Sequence, residues 1–190
     1  MNPSFADHSD VVSDRHRFGP TVYRGTPWDL SHLDAFALQV DIGGGLVVDL
    51  VVLFSCHCFS SSLENDPRGP SGIPQDEIFT GTHERRVLNE ERYLLSQLHL
   101  RGLINTLHKR AIRLAVDNYF TYDTVDHLGR AIEYAVFFTV EKDAKRAKRL
   151  LLRVQSAYPL EAVSRRLANG QKISFINLMK RTYEGRPLRR

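Results

Sequence analysis

A long apolar stretch, from Leu46 to Phe59, places the strongest constraint on the fold of this 190-residue chain. Successive side chains of a strand point to opposite faces, so every second residue of the stretch falls on one wholly apolar face that includes both cysteines. The opposite face carries Asp49, Ser55 and His57 among apolar residues. The pattern therefore predicts a strand that is buried in the core and presents one titratable imidazole to a cleft.

The two cysteines of this stretch, Cys56 and Cys58, are predicted to be reduced core residues. Parallel side chains two positions apart in a strand are poorly placed for a disulfide. Two reduced cysteines are typical of a cytoplasmic protein, which is therefore the predicted location. In a regular strand His57 would point away from both thiols, and the chain has no second cysteine pair to complete a structural zinc site. The sequence therefore predicts no metal site and no cofactor.

Alternating apolar residues elsewhere predict an α+β fold. Residues 36–41 and the apolar stretch flank three glycines, Gly43 to Gly45, which is typical of a β-hairpin. A turn-rich loop follows at residues 60–82, and then two helices, one beginning near Glu84 and the second after a break at Gly102. Three later segments with short connections predict an antiparallel meander: Ile112–Tyr122, Ala131–Glu141 and Arg149–Tyr158. We therefore expect an antiparallel sheet, made of the hairpin and the meander, with helices packed on one face.

The ends of the chain complete this division. Residues 1–34 are predicted to form a polar, partly mobile arm, in which Trp28 and Leu30 anchor residues 21–33 across the body. Residues 35–185 form a single domain, which includes a short helix over 160–168 and a strand and helix over 173–183. Residues 186–190 form a basic tail. No apolar run is long enough to span a bilayer, so no membrane association is predicted.

Charge is distributed unevenly along the chain. Residues 1–139 hold 12 Lys and Arg against 18 Asp and Glu, whereas residues 140–190 hold 14 against 4, a net charge of +10. Such a surface favours RNA, another polyanion or an acidic protein partner, although it also fits a merely solvated face. The predicted nucleic-acid-binding residues combine these cations with polar and aromatic strand residues: Asn118, Tyr119, Lys142, Lys145, Arg146, Lys148, Arg149, Arg153 and Tyr158.

The candidate catalytic residues are His57, Arg85, Arg92 and Tyr93. The chain has no nucleophile elbow, phosphate-binding loop or dinucleotide glycine pattern, which argues against serine hydrolases and nucleotide-driven enzymes. On a helix beginning near Glu84, Arg85 and Arg92 would share a polar face that Tyr93 adjoins. Metal-independent RNA cleavage needs an acid or base such as His57 and cations that offset phosphorane charge. The alternative is that the arginines pair with neighbouring glutamates and the tyrosines fill sheet faces.

The order of elements over residues 84–158 resembles that of the RNase superfamily that contains barnase, colicin-type and RelE-type toxin nucleases. The resemblance rests on the three meander strands, and on Leu150-Leu151-Leu152-Arg153-Val154-Gln155-Ser156-Ala157-Tyr158, which is similar to the last strand of phage-associated members. It implies a metal-independent endoribonuclease in a toxin or mobile-element context, with a neutralising partner. The early hairpin and the long 60–82 loop depart from that pattern.

Two other functions remain open, so the sequence does not decide whether the protein is an enzyme. The same basic surface suits a non-catalytic accessory or regulatory protein that binds nucleic acid or an acidic partner. It also suits an assembly protein whose tail docks onto another subunit.

Overall fold

The computed structural model describes residues 6–7, 17–82, 84–114, 118–160 and 171–188. The short helix predicted after Leu160 lies outside the described residues, as do nearly all of the first sixteen residues of the predicted arm. The described strands, in chain order, are β1 (Ala6–Asp7), β2 (Thr21–Tyr23), β3 (Thr26–Trp28), β4 (Phe36–Asp41), β5 (Val47–Phe54), β6 (Ser60–Ser62), β7 (Ile78–Thr80), β8 (Arg85–Leu88), β9 (Ala111–Arg113), β10 (Asn118–Val125), β11 (Ala131–Lys142), β12 (Arg149–Leu160) and β13 (Lys172–Ser174).

The described helices are α1 (Glu90–Leu95), α2 (Arg101–Asn105) and α3 (Phe175–Glu184). A π-helical turn, Ser96–Leu100, joins α1 to α2 without interruption. Short 3-10 turns lie at Ser31–Leu33, Cys56–Cys58, Pro70–Gly72, Gln75–Glu77 and Leu107–Lys109. None of the helices within the described ranges is long and apolar enough to cross a membrane.

One large sheet dominates the α+β fold. Its eight strands in the described ranges run in the order β1-β4-β5-β12-β11-β10-β9-β13. The predicted β4–β5 hairpin and the antiparallel meander β10–β11–β12 are both present. The prediction of a purely antiparallel sheet is wrong, because β12 pairs with β5 in parallel and joins the hairpin to the meander. The segment predicted as the first meander strand is also two strands, β9 and β10, which pair antiparallel.

The parallel pair lies at the centre of the core. Leu50 and Val52 of β5 are opposite Leu150 and Leu152 of β12, and all four side chains are fully buried. Parallel strands are rarely stable unless both of their faces are covered, and their sequences therefore read as nearly continuous apolar runs. This burial explains why both segments are so rich in Leu and Val.

The helices pack on one face of the large sheet, as predicted. Residues of all three helices join the main core cluster, among them Leu95, Ile104 and Met179. The opposite face carries two smaller clusters, one around Val51 and one around Phe137.

The first helix begins later than predicted. Residues Arg85–Leu88 form β8, the middle strand of a small sheet in the order β6-β8-β7, and the helix starts only after Asn89. The Asn89 side chain accepts a hydrogen bond from the backbone N–H of Arg92, which is the usual signature of a helix N-cap. The predicted break at Gly102 is absent, because Gly102 lies inside α2.

The segment around Trp28 and Leu30, which precedes β4, is anchored as predicted. The Trp28 ring stacks on Tyr93 of α1 with a centroid separation of 4.2 Å and an interplanar angle of 4°. Leu30 is buried in the main core, and His32 Nε2 lies 2.8 Å from the Ser96 hydroxyl at the start of the π-helical turn. This hydroxyl donates to the carbonyl of Tyr93 and is fully buried, so the Ser96–His32 pair is structural.

The predicted 60–82 loop contains two short strands, β6 and β7, and an internal ion-pair network holds the segment between them. The buried carboxylate of Glu77 accepts hydrogen bonds from Arg24 at 2.8 Å and from Arg68 at 2.6 Å. The hydrogen bond from Arg68, followed by that from Arg24, lowers the pKa of Glu77 below its ordinary value although burial opposes this. The loop is therefore tied to the β2–β3 hairpin.

Truncation of Leu50 tests the importance of the parallel pair. Leu50→Ala should lower the free energy of unfolding by about 2–5 kcal/mol, because the substitution leaves a cavity in the main core on the helix-covered face of the sheet. Chemical denaturation followed by circular dichroism measures this change. Val47→Ala, on the same strand but 45% exposed, is the matched control and should cost about 0.5 kcal/mol or less. Equal losses for the two variants would contradict a core centred on the parallel pair.

Candidate functional site

A tight turn follows β5 and positions Cys56 and His57. The strand ends at Phe54, and the Ser55 hydroxyl accepts a hydrogen bond from the backbone N–H of His57 at 3.2 Å. A serine hydroxyl that accepts a hydrogen bond from a backbone N–H two residues later competes with the hydrogen bonds that would extend the strand. The predicted continuous strand to Phe59 is therefore wrong, and with it the assignment of the cysteines and His57 to opposite faces.

The turn brings Cys56 and His57 to the same carboxylate. The Cys56 thiol donates to Glu84 Oε1 at 3.0 Å, and His57 Nε2 lies 3.0 Å from Glu84 Oε2. Cys58 is fully buried and belongs to the main core, as predicted. We call Cys56, His57 and Glu84 the turn triad.

Burial and mutual hydrogen bonding determine the protonation of two members of the turn triad. Burial, followed by the hydrogen bond to Glu84, raises the pKa of the Cys56 thiol to about 12. Partial burial raises the pKa of Glu84, but hydrogen bonds from Cys56 and His57 outweigh it and lower the pKa below its ordinary value. Near neutral pH the pair therefore consists of a thiol donor and a carboxylate acceptor.

Arg86 and Arg92 fix the surroundings of the turn triad. Arg86 donates to the Ser60 hydroxyl at 2.9 Å and to Glu84 Oε2 at 3.3 Å. Arg92 Nη1 donates to the carbonyl oxygens of His57 and Ser60, at 3.2 and 2.8 Å. Burial lowers the pKa of the Arg92 guanidinium. These contacts give Arg92 a structural role, since its donors already hold two backbone carbonyls.

The four predicted catalytic residues do not form one cluster. His57 and Arg92 lie side by side, but Arg85 is exposed on β8 and does not share a helix face with Arg92, contrary to prediction. Tyr93 is buried against Trp28. Arg85 and Arg92 do not share a face because α1 starts late, so that Arg85 lies on a strand and the side chains before Asn89 point in other directions.

A groove of about 470 Å³ lies between the start of α1 and the ends of β11 and β12. Arg92 and Arg130 line it, and so does Tyr158, whose ring lies 4.7 Å from the Arg92 guanidinium carbon. Arg130 is bound to the buried carboxylate of Asp126 at 2.6 Å. Both cations of the groove therefore already have protein acceptors.

Two of the predicted nucleic-acid-binding residues have little ring surface to offer a base. Tyr119 is only 1% exposed and stacks on Phe137 at a centroid distance of 5.5 Å. Tyr158 stacks on the other side of Phe137 at 5.4 Å and is half-buried. Asn118 is half-buried at the start of β10.

The predicted cations of residues 142–149, which we call the basic turn, do lie together between β11 and β12. They line a cavity of about 440 Å³ that Tyr183 of α3 closes on one side. Lys145, Arg146 and Lys148 are exposed, and no ion pair reaches them from the described part of the chain. Two predicted members differ: Arg149 is only 11% exposed and lies 3.7 Å from Asp143, and Arg153 pairs with Glu141 at 2.7 Å.

The backbone of the basic turn is held firmly. Lys148 has a φ of 57°, the left-handed conformation, which costs a residue with a Cβ on the order of 1 kcal/mol. Its carbonyl accepts a hydrogen bond from the Asp49 N–H at 2.9 Å, and the Asp143 N–H donates to the Arg149 carbonyl at 3.1 Å. The β5–β12 pairing thus sets the direction of the exposed lysine.

Sequence reasoning missed Glu84, Arg86 and Tyr183. The sequence places Glu84 only among the glutamates that could pair with helix arginines, because its proximity to His57 depends on the β6–β8 pairing. Tyr183 reaches the basic turn because α3 packs against β11, with Lys142 Nζ 5.7 Å from its ring centroid. No local sequence signal links either residue to its partners.

Comparison with known proteins gives one match. A family model described as the YjaZ family matches residues 20–183, which covers most of the chain. No curated protein and no solved structure matches the chain. The matched range includes the turn triad, the groove and the basic turn. The chain therefore belongs to the YjaZ family.

Proposed function

We propose that this protein binds RNA or another polyanion through the basic turn, without acting on it chemically. The observation that carries the proposal is the arrangement of Lys145, Arg146 and Lys148, exposed around one cavity on a hairpin whose backbone is fixed. Phosphate groups are bound chiefly by such cations, and the release of counterions supplies much of the affinity.

The adjoining end of α3 extends the positive surface. Lys180 and Arg181 are exposed and border a second, smaller cavity together with Glu184 and Arg186, which pair with each other at 2.9 Å. Lys142 lies against the same end of the helix, its Nζ 3.8 Å from where a side chain on Gly185 would begin. A phosphate backbone that crosses the basic turn would therefore meet further cations.

Tyr183 adds an aromatic surface to these cations. A half-buried ring beside exposed lysines suits an unpaired base, because base–aromatic stacking needs no particular sequence. This combination of the basic turn and one aromatic ring favours single-stranded RNA over a purely inorganic polyanion. Tyr183 also replaces Tyr119, which is buried, and Tyr158, whose ring is already stacked on Phe137 and lies against Arg92, as the proposed stacking residue.

The salt dependence of binding tests the proposal. The double variant Lys145→Ala with Arg146→Ala should bind labelled single-stranded RNA more weakly, because two phosphate contacts are lost. The slope of log affinity against log salt should fall in magnitude by about 1.4, or roughly 0.7 for each contact. Fluorescence anisotropy over a salt series measures both quantities.

A matched double variant controls for net charge. Lys109→Ala with Lys172→Ala removes the same charge from exposed positions outside the basic turn. It should leave the slope close to that of the unaltered protein. If both double variants reduce the slope equally, binding is a diffuse charge effect and the assignment to the basic turn fails.

Metal-independent RNA cleavage is a second candidate, and one specific observation favours it. The His57 imidazole lies 3.0 Å from the Glu84 carboxylate and is partly exposed, an arrangement suited to a general acid or base. Against it, Arg92 and Tyr93 are committed to structural contacts. A toxin role with a neutralising partner belongs to this candidate, whereas a mobile-element context is also compatible with a non-catalytic accessory or regulatory protein.

Incubation of RNA with the protein in excess chelator separates the two candidates. The binding proposal expects the RNA to remain intact from pH 5 to 9. Cleavage that is lost in His57→Ala but retained in His127→Ala, an exposed histidine in the β10–β11 turn, would establish the endoribonuclease instead. Gel analysis of the RNA products is sufficient.

A further inference from the structure

We propose that the turn triad is a binding site for a thiophilic divalent cation such as Zn²⁺, held by Cys56 Sγ, His57 Nε2 and the Glu84 carboxylate. The three ligand atoms lie within 4.8 Å of one another. This site is separate from the basic turn, and the proposal does not depend on RNA binding.

The distances are close to those that zinc requires. With bonds of about 2.3 Å to sulfur and 2.0–2.2 Å to nitrogen and oxygen, tetrahedral ligand atoms stand roughly 3.3–3.6 Å apart. The carboxylate oxygens now lie 3.0 Å from the Cys56 sulfur and 3.0 Å from His57 Nε2, and Arg86 also donates to Oε2 at 3.3 Å. Opening these contacts slightly and bringing the thiol and imidazole to within about 3.6 Å of each other would place all three around one ion.

Two of the three side chains, His57 and Glu84, have the freedom for this adjustment, whereas the buried Cys56 stays in place and the backbone is already fixed. His57 and Glu84 are 36% and 42% exposed. The Cys56 carbonyl accepts a hydrogen bond from the Ser60 hydroxyl, and the His57 carbonyl accepts one from Arg92. Pinned carbonyls on two successive ligand residues are the kind of support that preorganises a site.

Ligand chemistry points to a soft or borderline ion. A thiolate, an imidazole and a carboxylate together suit zinc better than magnesium or calcium, which prefer oxygen ligands alone. Binding would displace the thiol proton of Cys56 to solvent and would break its hydrogen bond to Glu84. Three protein ligands leave a fourth position for water, which is the arrangement of open zinc sites.

The sequence predicts no metal site because, in a regular strand, His57 would point away from Cys56. The 3-10 turn removes this obstacle, and Glu84 supplies a ligand that the local sequence does not reveal. A metal bound at Nε2 would also compete with the acid–base role that metal-independent cleavage requires of His57.

Titration of the full-length, reduced protein with Co²⁺ tests the site directly. The unaltered protein should bind one ion with a thiolate-to-cobalt charge-transfer band in the near ultraviolet, and Zn²⁺ should displace the ion. Cys56→Ser should lose the band. His57→Ala, at a partly exposed position, should weaken binding by at least about tenfold. Loss of a residue that only supports a metal ligand already has an effect of this size, and His57 would be a ligand itself.

Cys58→Ser is the matched control, because it removes a second thiol two residues away and leaves the turn triad intact. It should retain the band and the affinity, with circular dichroism confirming that each variant is folded. The proposal is overturned if the unaltered protein binds no stoichiometric ion, if Cys56→Ser keeps the band, or if a folded His57→Ala binds as tightly as the unaltered protein.

Discussion

The parallel pairing of β5 with β12 is the interaction on which the rest of the structure depends. It joins two antiparallel units, the hairpin and the meander, into one sheet and buries Leu50, Val52, Leu150 and Leu152 at its centre. Because all four side chains are completely removed from water, the pair contributes apolar burial at the centre of the main core, which stabilises the domain. The helices and the segment around Trp28 then cover one face of the sheet that this pair creates.

The same pairing sets the positions of the two candidate sites. The basic turn immediately precedes β12 and is bonded to β5 through the Asp49 N–H, whereas the turn triad follows β5 and is bonded to β12 through the Ser55 N–H. Parallel strands begin at one end and finish at the other, and the paired register runs from Asp49 to Phe54. At about 3.3 Å per residue the two sites are therefore separated by roughly 16 Å along the strands. This spacing favours two independent functions over one composite catalytic centre.

Much of the sheet could be predicted from the sequence, because strand alternation is a local signal. The β4–β5 hairpin and the meander from β10 to β12 follow from it, as does the short β13 strand before α3. The end of β5 could not be predicted in the same way, since Ser55 continues the alternation and only its side-chain hydrogen bond ends the strand. Likewise Val87 and Leu88 fit either a helical stripe or a strand, and the pairing of β8 with β6 decides between them.

The sites were less predictable than the sheet because their members come from distant parts of the chain. The cations of the basic turn are consecutive, so their clustering was evident, but Tyr183 joins them only through the packing of α3 on β11. Glu84 is 27 residues from His57 and meets it through the small sheet. Ion pairing also occupies one of the predicted nucleic-acid-binding residues, because Arg153 pairs with Glu141.

Amide hydrogen exchange in the presence of single-stranded RNA tests the central claim most directly. We expect saturable protection confined to residues 142–149 and to the end of α3 near Tyr183, with no change at the groove beside Arg92. Protection centred instead on residues 89–92, 130–132 and 158–160, or the absence of any saturable protection, would contradict the assignment of polyanion binding to the basic turn.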